Sequence, residues 1–167
     1  MRYYPAAIAL SLLAALSASV GQASDYQADP RAAAMVSQGR SLMETGKVTE
    51  AIDTFEAALA IDPGYSAIYL DLAEAARLEG MQGKAIHYYR AALVREPDNL
   101  AAISGEGEAL VEKGAVEKAK RNLAKLETMC GENCAETKRL AQALQNVPAP
   151  NILTAEAVVP KPVVTNN

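Results

Sequence analysis

The sequence predicts an all-α protein: a solenoid of three stacked helix hairpins closed by one more helix. Three observations carry that prediction. Half of the 167 residues are hydrophobic while only 5% are aromatic and Trp is absent, so the interior must be built largely from alanine and leucine-sized side chains, the residues with the strongest helix propensity. The chain overlays on itself when shifted by 34 positions, and self-similarity at such a period is the signature of a repeat array. Glycine recurs at one fixed place in each copy, at Gly46, Gly80 and Gly114. The same composition excludes other classes. A formal net charge of −4 leaves no basic field for nucleic acid. One His and two Cys leave almost nothing from which to build a His/Cys metal site.

The first 23 residues read as an address. Arg2 supplies a positive charge, Ala6 to Leu16 is nearly all Ala, Ile and Leu, and Gly21-Gln22-Ala23 offers small residues at the −3 and −1 positions of a signal-peptidase site. That is the pattern of a secretory signal peptide. Its apolar stretch falls short of the roughly 20 residues that span a bilayer, so no membrane span is expected after cleavage. No Cys follows the apolar run, so a lipid-anchored N-terminus is not indicated. Cleavage after Ala23 removes Arg2 and makes the remaining chain more acidic by one charge. A periplasmic location is expected, with secretion as the alternative, and in an oxidising compartment two cysteines are read first as a pair. Residues 24–31 form a short lead-in, with Asp29 as N-cap and Pro30 opening a helix.

Three units follow, 32–65, 66–99 and 100–133, with nothing inserted or deleted between them. Gly46, Gly80 and Gly114 each fall just after a helical run, where a left-handed residue ends the helix. Gly39, Ala73 and Gly107 are the small residues that let a neighbouring helix come close, one turn before Leu42, Ala76 and Leu110. In the second helix, Ala51, Phe55 and Ala58 share one face; Ala85, Tyr89 and Ala92 repeat them, as do Ala119, Leu123 and Leu126. Small residues flank one bulky knob. Asp62-Pro63 and Glu96-Pro97 close the second helix, because the residue before Pro avoids the α region. Each Pro is then expected to open the next helix at its first turn.

Residues 134–146 are the expected capping helix. Asn133 is the candidate N-cap, Glu136 its reciprocal partner, and Leu140, Ala141 and Leu144 the apolar stripe. Cys130 and Cys134 straddle the preceding turn. A structural disulfide is the expectation. The spacing is not C-x-x-C and no thioredoxin-like strand pattern accompanies it, although a redox-active pair is the alternative. Residues 147–167, with Pro148, Pro150, Pro160 and Pro162, read as a flexible tail; within it, 151–159 has the composition of a strand that could add to a partner's sheet edge.

Across 32–133 the sequence resembles the tetratricopeptide repeat family. The unit 66–99 carries the pattern best, through Tyr69, Leu72, Ala73, Ala85, Tyr89, Ala92 and Pro97. Unit 32–65 keeps Gly39, Ala51, Phe55, Ala58 and Pro63, while 100–133 departs at Ile103, Glu106, Leu123 and Gly131. The resemblance implies a right-handed superhelix whose concave face, lined by first helices, holds an extended peptide or a partner helix. By that resemblance the partner-binding residues are Val36 and Arg40 in the first unit, Leu70, Asp71, Glu74 and Arg77 in the second, and Ser104, Glu108 and Glu112 in the third. Acidic residues outnumber basic ones on that face, so the expected partner is a neutral to basic protein or peptide with apolar anchors. Members that grip a carboxylate terminus of chaperones do so with Lys, Asn and Arg; the matching positions here are Val36, Arg40, Asp71, Ala101 and Gly105, of which only Arg40 fits. Chaperone-tail binding is therefore not expected.

No motif points to catalysis. His87 is alone, Ser104-Gly105-Glu106-Gly107 lacks the third glycine and the strand of a nucleotide loop, and the carboxylates read as solvated helix faces. Tyr65 and Tyr88 are the tyrosines free to touch a ligand, since Tyr69 and Tyr89 take core positions. The sequence therefore predicts a non-enzymatic adaptor of the cell envelope, without cofactor. A structural, self-associating repeat protein is the alternative, and homo-oligomers are left open.

Overall fold

The computed structural model describes residues 26–146; the leader at 1–23 and the tail at 147–167, including the 151–159 stretch, lie outside them. Every regular element among the described residues is a helix: α1 (Pro30–Glu44), α2 (Val48–Ile61), α3 (Ser66–Leu78), α4 (Gln82–Arg95), α5 (Leu100–Glu112), α6 (Val116–Cys130) and α7 (Ala135–Gln145). Consecutive helices pack on one another, α1 touches α3, α3 touches α5, and α7 packs against both α5 and α6. The chain is thus an all-α solenoid of hairpins α1–α2, α3–α4 and α5–α6, followed by α7.

The three matched glycines do one job. Gly46, Gly80 and Gly114 have φ of 77°, 70° and 79°. In the first turn the Gly46 N–H donates to the Met43 carbonyl (3.0 Å) and the Lys47 N–H to the Leu42 carbonyl (2.9 Å). The same pair of bonds recurs as Gly80 to Arg77 and Met81 to Ala76, and as Gly114 to Val111 and Ala115 to Leu110. This is a Schellman turn in triplicate, and its left-handed residue must be glycine to avoid strain.

Asp29 caps α1 as its sequence suggests: its Oδ1 accepts from the Arg31 N–H at 2.8 Å, and Pro30 opens the helix. Asp62 and Glu96 end α2 and α4 with backbone outside the helical region ahead of proline. The prolines themselves do not open the next helices. Pro63 and Pro97 lie in the turns, and α3 and α5 begin later, after Tyr65 and Asn99. The better cap explains the delay at α5, where the Asn99 side chain accepts from the Ala102 N–H at 2.9 Å. The N-cap of α7 likewise shifts by one residue: Cys134 holds it, not Asn133. The turn is set from within, because the buried Thr137 hydroxyl donates to the Gly131 carbonyl at 2.9 Å.

Packing follows the small-and-bulky pattern. Ala51, Phe55 and Ala58 are wholly buried, as are Ala85, Ala92, Ala119 and Leu126. One apolar cluster lies within α1, α2 and α3 and another runs from α3 to α7. Closest approach occurs at three glycines. A Cβ on Gly39 would sit 2.4 Å from Phe55, one on Gly105 2.3 Å from Tyr89, and one on Gly107 2.5 Å from Leu140 of α7. The rings and the leucine occupy space that any side chain on α1 or α5 would claim, so the interhelical distance depends on those glycines.

Candidate functional site

The first helices of the three hairpins, α1, α3 and α5, are cross-linked by charge along the face the sequence assigns to a partner. Arg40 of α1 donates to the Asp71 carboxylate of α3 through Nε (2.9 Å to Oδ1) and Nη2 (2.9 Å to Oδ2), a two-pronged pair. Nearly two turns further along α3, Arg77 is the hub of a larger group. Its Nη1 lies 2.9 Å from Glu74 Oε2 and 3.1 Å from Glu108 Oε2, and its Nη2 lies 2.6 Å from Glu112 Oε1. Gln82 of α4 donates to Glu112 at 3.1 Å, and the Tyr89 hydroxyl donates to Glu74 at 3.0 Å. Three carboxylates therefore surround one guanidinium.

Burial and charge compete at each of these groups. Burial alone would push the Arg77 guanidinium down; Glu112 and Glu74 more than reverse this, and it titrates above its ordinary value. Burial, then Glu74, pushes the Tyr89 phenol up. At the other pair the two partners report opposite balances. Arg40 is stabilised by Asp71, whereas Asp71 is held above the usual aspartate range because burial outweighs the help from Arg40. The Asp71 side is the more telling: only 16% of its side chain is exposed, against 53% for Arg40. The pair therefore offsets a burial cost and supplies little net stability.

Of the nine residues the sequence assigns to a partner, six are at least partly accessible: Arg40, Leu70, Asp71, Glu74, Arg77 and Glu112. Three are not. Val36 is 2% exposed and packs with Phe55 and Ile68 in the N-terminal cluster. Ser104 is fully buried, its hydroxyl within hydrogen-bond distance of Glu108 Oε1 (3.1 Å) and the Glu136 carbonyl of α7 (3.0 Å). Glu108 is 8% exposed, held between Arg77 and Ser104, with Arg139 of α7 at 4.0 Å. For Ser104 and Glu108 the physical reason is α7. It lies against α5 where a further unit's first helix would lie, so residues 102–110 of α5 are all buried. Gly105 is likewise sealed beneath Tyr89. What sequence reasoning missed is the convergence on Arg77. The available signal was a charge of opposite sign 35 residues on, at Glu112, which is one repeat plus one position.

Tyr88 is partly buried, its hydroxyl 3.5 Å from Glu56, and Tyr65 stands 6.3 Å from the Tyr26 ring. His87 is exposed on α4. Cys130 and Cys134 are joined across the turn from α6 to α7, with Cα atoms 5.9 Å apart. Among the described residues, no group of three or more His, Cys, Asp and Glu side chains is placed to hold a metal ion, and no helix is long and apolar enough to cross a membrane.

Residues 42–81, from the end of α1 through α3, match the family model of the tetratricopeptide repeat. Solved structures with the same fold include the first tetratricopeptide domain of Spaghetti (RPAP3) bound to the HSP90 peptide SRMEEVD. It is 21% identical, with 71% of this chain and 97% of that one covered and a TM-score of 0.64. The Sgt2 tetratricopeptide domain from Aspergillus fumigatus is 24% identical over 71% of this chain and 79% of its own, with a TM-score of 0.65. The MamA protein is 24% identical over 60% and 55%, with a TM-score of 0.57. No curated protein matches the sequence. The described residues thus have the tetratricopeptide-repeat fold, with three helix hairpins and a closing helix, and 42–81 carry the repeat's sequence pattern.

Proposed function

We propose that this protein is a non-enzymatic adaptor that holds a segment of another polypeptide against the first helices of its first two units. The observation that carries this reading is the unequal charge on that face. Arg40 is matched by Asp71, but Arg77 faces Glu74, Glu108 and Glu112 together, which leaves negative charge in excess beside the exposed Leu78 and the half-buried Leu70. A segment carrying Lys or Arg next to an aliphatic anchor satisfies both features. Similarity to domains solved with bound peptides supports a polypeptide partner. Their acidic peptides do not suit this face. Of the positions that would hold a terminal carboxylate, Val36 and Gly105 are buried and Arg40 is already engaged by Asp71.

The leader-like sequence at 1–23 supports the periplasm as the setting, and the Cys130–Cys134 pair suits an oxidising compartment. Glu108 is unsuitable for testing the face, since replacing it would leave Arg77 and Ser104 short of a buried partner. Glu74→Gln with Glu112→Gln keeps Glu108 on Arg77 and removes the accessible excess. Panning a peptide library on the purified protein is expected to enrich basic, aliphatic segments, and the double variant to bind them about 3–10-fold less tightly. Enrichment of acidic segments, or affinity unchanged in the double variant, would remove the partner from this face.

A further inference from the structure

The outward strip of the second helices changes sign along the solenoid at matched places. Glu50 of α2 corresponds to Lys84 of α4 and Lys118 of α6; Asp53 corresponds to His87 and Arg121. All six are exposed. They face away from the buried alanines that begin each second helix, at Ala51, Ala85 and Ala119. Equivalent positions in a repeat array look out on the same side, so one side of the molecule is negative over its first unit and positive over its third. Glu56 extends the negative patch by a turn of α2, and Lys125 the positive one along α6. Lys84, Lys118 and Arg121 have no carboxylate within ion-pair distance among the described residues, so their charge is available to a partner; on the negative side Asp53 and Glu56 have no cation within that distance, while the exposed Glu50 meets Lys47 at 3.3 Å.

We propose that this strip pairs two copies of the chain side by side in antiparallel register, the negative first unit of each lying on the positive third unit of the other. A two-fold arrangement satisfies both patches in both copies and closes the assembly at two. The charge pattern supplies its own complement. An anionic membrane would be met by the third unit alone and repelled by Glu50, Asp53 and Glu56. The surface is separate from the first-helix face, so pairing leaves that face open to its peptide and succeeds or fails independently of it.

Sedimentation velocity of the purified protein tests this, in about 20 mM and about 500 mM salt, since salt screens exposed charges. The expected result is a dimer at low salt that dissociates at high salt. Glu50→Lys with Asp53→Lys, and separately Lys118→Glu with Arg121→Glu, should each weaken pairing about tenfold or more. Mixing the two variants should restore it, because every contact in the mixed pair is again between opposite charges. Helix content by circular dichroism should be unchanged in both. If either variant is poorly folded, the neutral Glu50→Gln with Asp53→Asn replaces it, with a smaller loss expected. A monomer at low salt, a ladder of higher oligomers, or a mixture that fails to re-pair would overturn the arrangement. So would stronger binding of the parent protein to anionic vesicles than to itself.

Discussion

The sharpest test of the packing is a single methyl group on Gly105. The residue lies inside α5, where alanine would ordinarily help: replacing a helical glycine is worth up to about 1 kcal/mol. Here the new Cβ would sit 2.3 Å from Tyr89 Cζ, 2.4 Å from Cε1 and 2.5 Å from the hydroxyl oxygen. Tyr89 cannot easily yield. It is 4% exposed, and its hydroxyl donates to Glu74 at 3.0 Å in the Arg77 cluster. Overpacking a tight core typically costs about 1–3 kcal/mol, and losing a buried hydrogen bond about 1 more. After the helix gain is subtracted, Gly105→Ala should destabilise by about 2 kcal/mol. In urea that shifts the unfolding midpoint by about 1 M. Gly83→Ala in α4 is the control, since its nearest neighbour is the flexible end of Lys113 at 3.8 Å; it should be neutral or stabilising by a few tenths of a kcal/mol. Adding Tyr89→Leu should make Gly105→Ala cost much less than in the parent, because the two side chains contend for one space. If Gly105→Ala unfolded at or above the parent midpoint, α4 and α5 would not be as close as described, and the reasoning from small residues to helix spacing would fail.

Other consequences follow from the contacts at the hairpin ends. Replacing Cys130 and Cys134 by Ser should cost about 2 kcal/mol, and hydrogen exchange should show the loss concentrated in α7; equal loosening of α1 and α2 would contradict a local role. Hydrogen bonds from Ser66 and Asn99 hold the Glu96 carboxyl below the usual glutamate range. Its charge thus stabilises the fold above the ordinary glutamate value of about 4.3 and ceases to do so as pH falls through the lower folded value. Glu96→Gln should therefore shrink the acid-induced drop in melting temperature between the parent at neutral and at acidic pH, and an unchanged profile would refute the assignment. Asp71→Asn should change stability by no more than about 1 kcal/mol, since burial offsets the pair with Arg40; a loss of several kcal/mol in chemical unfolding would show the pair to be stronger than its geometry implies.

What could be read from the sequence was whatever repeats. The glycine turns and the alanine faces recur every 34 residues because each copy solves the same packing problem, and periodicity reports that directly. The site was less legible because it depends on what does not repeat. Val36 sits on the face a repeat pattern assigns to a partner, yet it is buried with Phe55 in the N-terminal cluster. Ser104 and Glu108 repeat the partly accessible Leu70 and Glu74 of the second unit, yet they are buried, Ser104 against the Glu136 carbonyl of α7 and Glu108 between Arg77 and Arg139. The prolines after Asp62 and Glu96 end helices as their chemistry demands, but where the next helix starts is decided by caps downstream, most clearly at Asn99.

The cysteine pair makes sense at the one place where the array changes. In the first hairpin the acid ahead of the proline reaches back to the start of its own first helix: Asp62 Oδ2 accepts from the Asp29 N–H at 2.8 Å. In the second, Glu96 does the same with the Ser66 hydroxyl. The third copy of that position is Cys130, followed by Gly131 where the others have Pro63 and Pro97. It cannot close the hairpin backwards, and it is tied forwards, to Cys134 at the head of α7. Each earlier first helix is flanked by the second helix of its own hairpin; among the described residues α7 has no such companion. A covalent tie, with Thr137 buried beside it and Leu140 seated on Gly107, replaces the missing helix. The pair is therefore placed where holding α7 matters most, and α7 in turn buries Ser104 and Glu108 of the third unit, leaving the accessible charge of the first-helix face around Arg40 and Arg77.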